Sequence, residues 1–204
     1  MKIRSICPDS FASNCYLVIE GERALVVDPG VGLRAIQSAL TEEGARCVGI
    51  LLTHGHFDHI LSLDELRDAY PDATVYIHRD DAELLLDGDK NAFALFMGQD
   101  RTWRPADHLL VDGEIILLGD ARIRVRHTPG HTRGSVCYVC GDNLITGDTL
   151  FADGYGRYDL YGGDYASLCR SLRSLTELSP TLRIHPGHGP SNALGDALSR
   201  IGLA

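Results

Sequence analysis

Apolar positions fall into short runs separated by turn residues, and the character of the runs changes midway along the chain. In the first third, Cys15 to Ile19 and Ala24 to Asp28 read as strands, Pro29-Gly30 as a turn, and Val31 to Glu43 as a helix. Cys47 to Leu52 is continuously apolar, as suits a strand buried on both faces. A second helix, Leu61 to Tyr70, leads to another buried strand, Thr74 to Ile77. Residues 80 to 108 are less regular: Asp80 to Leu86 reads as one or two helical turns, Asn91 to Met97 as another, with Trp103 and Pro105 in a connecting loop. From Glu114 onward the strands come close together (Ile115 to Leu118, Arg122 to His127, Ser135 to Val139, Leu144 to Thr146), joined by Gly119-Asp120 and Gly141-Asp142-Asn143 turns. Asp164 is an N-cap for a helix that lines up Leu168, Leu172, Leu175 and Leu178 before Pro180 stops it. A strand at Thr181 to Ile184 and a helix from Asn192 to Ile201 follow. Strand clusters with helices in both halves predict an α/β fold of two packed sheets between helical layers. With 204 residues and no linker or low-complexity tract, one domain over residues 1–204 is expected.

Composition narrows the class. Hydrophobic residues make up 44% and charged residues 23%, a globular balance that argues against disorder, a disulfide scaffold or a membrane protein. Nineteen Lys and Arg against 28 Asp and Glu give a net charge of -9, whose field repels nucleic acid and acidic membranes, so neither is an expected partner. Met1-Lys2-Ile3-Arg4 enters a strand-like segment with no apolar leader, and no run reaches the roughly 18 to 20 apolar residues that span a bilayer. The expected compartment is the cytoplasm. Six scattered cysteines fit reduced, buried thiols. Cys137 and Cys140 form a Cys-x-x-Cys, but residues three apart in a strand face opposite sides, which argues against a redox or zinc pair.

The densest chemistry is Thr53-His54-Gly55-His56-Phe57-Asp58-His59, four potential metal ligands in six positions directly after a buried strand. A polar surface loop rarely has that composition, whereas imidazoles and carboxylates are ordinary ligands for zinc, iron or manganese. Three further clusters set an ionisable residue among Gly, Pro or Thr at a strand end: His127-Thr128-Pro129-Gly130-His131-Thr132, Thr146-Gly147-Asp148-Thr149 and His185-Pro186-Gly187-His188-Gly189. Small and rigid residues let ligands project from fixed turns.

With these motifs in order from 14 to 189, the sequence resembles the metallo-beta-lactamase superfamily, and within it the glyoxalase II-like (hydroxyacylglutathione hydrolase-like) hydrolases. The resemblance implies a four-layer αββα sandwich of two mixed β-sheets flanked by helices. It implies two divalent metal ions, zinc ahead of iron or manganese: His54, His56 and His131 on the first, Asp58, His59 and His188 on the second, and Asp148 bridging both. Two metals sharing a hydroxide would generate the nucleophile and polarise a carbonyl. Asp58 and Asp148 are then the catalytic carboxylates, with Asp58 also orienting the hydroxide, and Asp28 resembles a carboxylate that supports a ligand. His78, His108 and His127 are expected outside the ligand set, and His185 is a weaker candidate for supporting it.

Gly147-Asp148-Thr149-Leu150-Phe151 followed by Gly156-Arg157-Tyr158-Asp159 is similar to a pattern shared by glyoxalase II-like hydrolases and persulfide dioxygenases, with Tyr158 where Thr or Ser is commoner. Arg157 is read as pairing with Asp159 or with ligand carboxylates, near substrate. Only Pro190 to Ala204 follow the last motif, so the helical extension with which glutathione-specific members grip the tripeptide is not expected. The leading expectation is hydrolysis of a small (hydroxy)acyl thioester. The alternatives are a mononuclear-iron persulfide dioxygenase using a subset of these positions, and a non-catalytic metal-binding module. Lactamase and nuclease readings rank lower, on the Gly-Arg-x-Asp segment and the charge.

Overall fold

The computed structural model describes residues 1–8 and 11–203. Strands β1 (Lys2–Ile6), β2 (Cys15–Glu20), β3 (Arg23–Val27), β4 (Arg46–Leu51), β5 (Thr74–His78) and β6 (His108–Leu110) form one sheet in that order. Its first three strands run antiparallel and β3 to β6 run parallel. Strands β7 (Ile115–Leu118), β8 (Ala121–His127), β9 (Val136–Cys140), β10 (Asn143–Gly147), β11 (Arg183–Pro186) and β12 (Asn192–Ala193) form the second. Here β10 and β11 are parallel and the other neighbours antiparallel. Helices α1 (Leu33–Glu42) and α2 (Leu63–Ala69) precede the short α3 (Phe93–Met97), and α4 (Tyr165–Leu175) and α5 (Leu194–Arg200) belong to the second half.

Alternation along the strands sorts side chains into three apolar layers. Leu17, Val26 and Ile50 face Ile36, Leu40 and Leu66 of α1 and α2. Their neighbours Val18, Leu25 and Leu51 point the other way, meeting Ile123, Tyr138 and Ile145 between the sheets. Cys137, Leu144 and Ile184 face Leu168, Leu172 and Leu194 of α4 and α5. The result is the four-layer αββα sandwich of two mixed sheets. Cys137 lies in the outer layer and Cys140 between the sheets, so the strand does separate the two thiols. Among the described residues, no helix is long and apolar enough to cross a membrane.

The 79–86 stretch is a 3-10 helix, and α4 stops at Leu175, leaving Leu178 partly buried beyond its end. The C-terminal ends of β3, β4, β8, β10 and β11 reach one edge of the sandwich, where polar links tie the sheets together. Tyr138 Oη donates to the Leu52 carbonyl (2.7 Å), Tyr16 Oη to that of Pro186 (2.6 Å), and the Val136 amide to Thr53 (2.9 Å). A buried phenol needs such a partner, and each of these two fixes a ligand-bearing loop to the opposite sheet.

Candidate metal centre

The loop after β4 leaves the sheet at Thr53, whose amide and hydroxyl both donate to Asp28, at 2.8 and 2.6 Å. Asp28, directly after β3, has φ 51°, a left-handed conformation uncommon for a non-glycine residue and held here by its bonds to Thr53. Its Oδ2 also accepts from His59 Nδ1 at 2.9 Å. His54 Nδ1 lies 3.1 Å from Thr53 Oγ1. The hydroxyl proton is already committed to Asp28, so His54 Nδ1 is the donor and Nε2 carries the lone pair.

The other loops deliver matching atoms. His131, after β8, donates from Nδ1 to the Arg157 carbonyl at 2.7 Å, which leaves its Nε2 a lone pair. That atom is 3.2 Å from His54 Nε2 and 2.8 Å from His56 Nδ1. Two lone pairs facing each other at such a distance repel unless a cation lies between them, and nitrogens about 2.0–2.1 Å from one tetrahedral ion are spaced about 3.3 Å apart. Asp148, after β10, sets Oδ1 3.3 Å from His59 Nε2 and Oδ2 3.6 and 3.7 Å from the Nε2 atoms of His131 and His188. Asp58 Oδ2 is 3.1 Å from His188 Nε2 and 3.8 Å from His59 Nε2. His59 Nε2 and Asp148 Oδ1 are buried without a hydrogen-bond partner, an arrangement that proteins avoid unless another group completes it. The residues fit divalent metal ions.

Electrostatics agree. Burial first, then the neighbouring histidines, holds His54 well below the usual imidazole range, and burial lowers His56 to about 3, so both are neutral donors at neutral pH. His59 goes the other way. Burial opposes its charge, yet the carboxylates of Asp148, Asp58 and Asp28 outweigh that and raise it well above its ordinary value. The half of the centre around Asp148 thus draws in positive charge.

All seven ligand positions named from the sequence converge here, in groups His54/His56/His131, His54/His59/Asp148 and Asp58/His59/His188. Asp28 touches His59 directly. Arg157 and Asp159 pair with each other on the surface, through two bonds of 2.7 and 2.9 Å; the Arg157 carbonyl, rather than its guanidinium, reaches the centre. His185 bonds Asn143 and Ser191 and touches no ligand. His78 stacks on His127 with centroids 4.0 Å apart, and His108 bonds Glu114, all outside the seven-residue set. The sequence reading missed Asp81, fully buried in the 3-10 stretch. It accepts from the Gly55 amide (3.1 Å), the Gly134 amide (2.6 Å) and the Thr132 hydroxyl (2.7 Å), clamping the two histidine loops together.

The Metallo-beta-lactamase superfamily model matches residues 8–188. The probable metallo-hydrolase YqgX of Bacillus subtilis is 38% identical over 194 residues, covering 93% of this chain and 91% of that protein. The crystal structure of BLEG-1 B3 metallo-beta-lactamase superposes with a TM-score of 0.91 at 33% identity, covering 97% of each chain. TTHA1623 in a di-iron-bound form gives 0.83 at 35% identity, covering 98% of each chain.

Proposed function

The chain belongs to the metallo-beta-lactamase superfamily, a family of metal-binding metallo-hydrolases, and on that premise we propose that it hydrolyses small acyl thioesters at a centre holding two divalent cations. The observation that carries this reading is Asp148, whose carboxylate lies beside His131 of one three-ligand group and beside His59 and His188 of the other, with its own Oδ1 and His59 Nε2 buried and unpartnered. His54, His56 and His131 would hold one ion and Asp58, His59 and His188 the other, with Asp148 between them. Zinc is the proposed metal, ahead of iron and manganese; all three suit His and Asp ligands, and the di-iron form of TTHA1623 supports a count of two.

Bound there, divalent cations supply Lewis acidity and bring the pKa of water toward neutrality. The chain's own groups complete the site. Burial pushes Asp58 up, but His59 and His188 outweigh it and hold the carboxyl below its ordinary value, so it is ionised at neutral pH. Its side chain is 19% exposed at the cleft floor, where it can orient water and accept the proton that water gives up. The water oxygen bonds to the acyl carbon, the carbon–sulfur bond breaks with its electron pair on sulfur, and the proton passes to the thiolate. Asp28 locks His59 in the tautomer with a free Nε2, as the Arg157 carbonyl does for His131.

Phosphodiesters fit this mouth less well, because Arg157, the guanidinium among its lining residues, is taken by Asp159. The unpaired thiols suit a reducing compartment, and we place the protein in the cytoplasm. The test presents metal-loaded protein with acyl thioesters, a β-lactam, a phosphodiester and a persulfide under an oxygen electrode. Thioester loss without oxygen uptake is expected. Oxygen consumption on the persulfide with one iron per chain would mark a dioxygenase, and no turnover of any substrate a metal-binding module.

A further inference from the structure

The cleft above the centre has a volume of about 420 Å³ and is walled on one side by Phe11, Phe57, Phe96, Met97 and Leu160. Phe11, Phe96 and Met97 are 59%, 52% and 44% exposed, large apolar groups left facing water at the mouth of a polar site. Apart from the metal-centre residues, the ionisable group lining this cleft among the described residues is Arg157. Asp159 accepts from Nε and Nη2 along one edge of its guanidinium, and the guanidinium carbon lies 5.7 Å over the Phe96 ring. A carboxylate laid along this wall would lose water and, among the described residues, meet only a guanidinium whose charge Asp159 already balances, at a cost that an apolar chain avoids.

The wall is tied to the centre. Phe57 stands between the ligands His56 and Asp58, with ring centroids 6.1 Å from Phe11 and 5.8 Å from Phe96. Its amide donates to the Asn91 carbonyl at 3.0 Å. Asn91, fully buried, donates to the carbonyls of Leu84 and Arg101 and accepts from the Phe93 amide. Ala92, which follows, has φ 67°, a conformation costly for a non-glycine residue, and it starts the turn that points Phe96 and Met97 into the cleft. The irregular 80–108 segment therefore builds one side of the site.

We infer that this centre takes substrates whose acyl group is apolar and uncharged, and that Phe96 and Met97 of α3 set which acyl groups fit. The inference rests on the thioesterase reading only in assigning the acyl end to this wall. It is tested by calorimetric titration of the metal-loaded protein with straight-chain carboxylates from acetate to octanoate, and with succinate. In parallel, kcat/KM is measured for the matching acyl thioesters of one uncharged thiol. Each methylene that reaches the wall contributes about 0.8 kcal/mol, so affinity is expected to rise about fourfold per methylene until the cleft is filled. Succinate should bind at least about tenfold more weakly than butyrate, given the cost of an unpaired buried charge. Phe96→Asp should flatten the chain-length dependence, Phe96→Leu should keep most of it, and Leu95→Asp, on an exposed residue of the same helix outside the cleft, should leave it unchanged. A flat carboxylate series, succinate bound as well as butyrate, or a full dependence in Phe96→Asp would overturn the inference. Thioesters left uncleaved while carboxylates bind with the expected dependence would overturn the thioesterase reading and uphold this one.

Discussion

Asp148 approaches three histidines with one carboxylate, at 3.3 to 3.7 Å, reaching His131 in one half of the centre and His59 and His188 in the other. Asp148→Ala should therefore remove both ions and lower hydrolysis by about 10³-fold or more, since it takes away a ligand and the charge that balances the ions. Retained turnover with two ions bound would contradict the bridging assignment. Asp28 acts one step further out, and Asp28→Asn should weaken metal binding about 10- to 100-fold, read by competition with a chromophoric chelator. Asp81 makes a pH prediction. Burial lifts it to about 6 despite three donors that favour its ionised form. Its unfolded value is about 3.9, so the folded chain holds the proton more tightly, and its contribution to stability is fullest below about pH 4 and declines as pH rises through about 6. In chelator-treated protein, the stability lost in Asp81→Asn should thus be larger near pH 4.5 than near pH 7.5, by about 2 kcal/mol, in urea unfolding. An equal loss at both would mean that Asp81 titrates alike in the folded and unfolded chains. The ligand positions were legible because four of the seven crowd into one loop and the rest follow strands with Gly and Pro beside them. Asp81 was not, because its three partners lie at 55, 132 and 134 and meet it only in the folded chain. Nor was the Arg157 carbonyl, since a backbone contact leaves no mark on residue type.

Strand ends carry the ligands, so the turns that follow them tolerate little. A Cβ at Gly187, in the turn after β11, would overlap Asp148 Oδ1 and His59 Cε1. Gly187→Ala should keep the fold by circular dichroism and lose metal affinity, by about the 10- to 100-fold seen when a ligand's support is disturbed. Gly44 is the control: at φ +60° it meets open space, and Gly44→Ala should cost about 1 kcal/mol of stability with metal content unchanged. Equal metal loss in both variants would show a general loosening rather than a local clash. Buried strands such as β4 and β10 were readable within a residue or two, since a continuous or alternating apolar run is their own signature. The edge strands β6 and β12, of three and two residues, are too short to show a period and are defined by the partner they pair with. Helix α3 turns Phe96 and Met97 to the cleft rather than to the core, so core-facing periodicity could not reveal its purpose.

At the scale of the molecule, two sheets meet at an edge where carboxylates and unpaired imidazole nitrogens have been brought together, and bound cations would stabilise that edge. Ligands that bind only the folded state stabilise it by about 2.7 kcal/mol at a hundred times Kd, which for a chain of this size is about 5–10 °C in Tm. Chelation should lower Tm by that order, and added zinc should restore it in a concentration-dependent way; an unmoved Tm would separate the histidine cluster from metal binding. The layered architecture was legible because strand clusters and helices occur in both halves, while the closure of its edge depends on Tyr16, Tyr138 and Asp28, whose partners are set by tertiary packing. The most direct check is elemental analysis of protein purified without chelator or affinity metal, with the hydrolysis of an acyl thioester followed on the same sample. Two ions per chain, lost together with thioester hydrolysis on chelation and regained with it, is the predicted result. One ion per chain that persists in excess metal, or hydrolysis indifferent to metal content, would contradict a two-metal hydrolase.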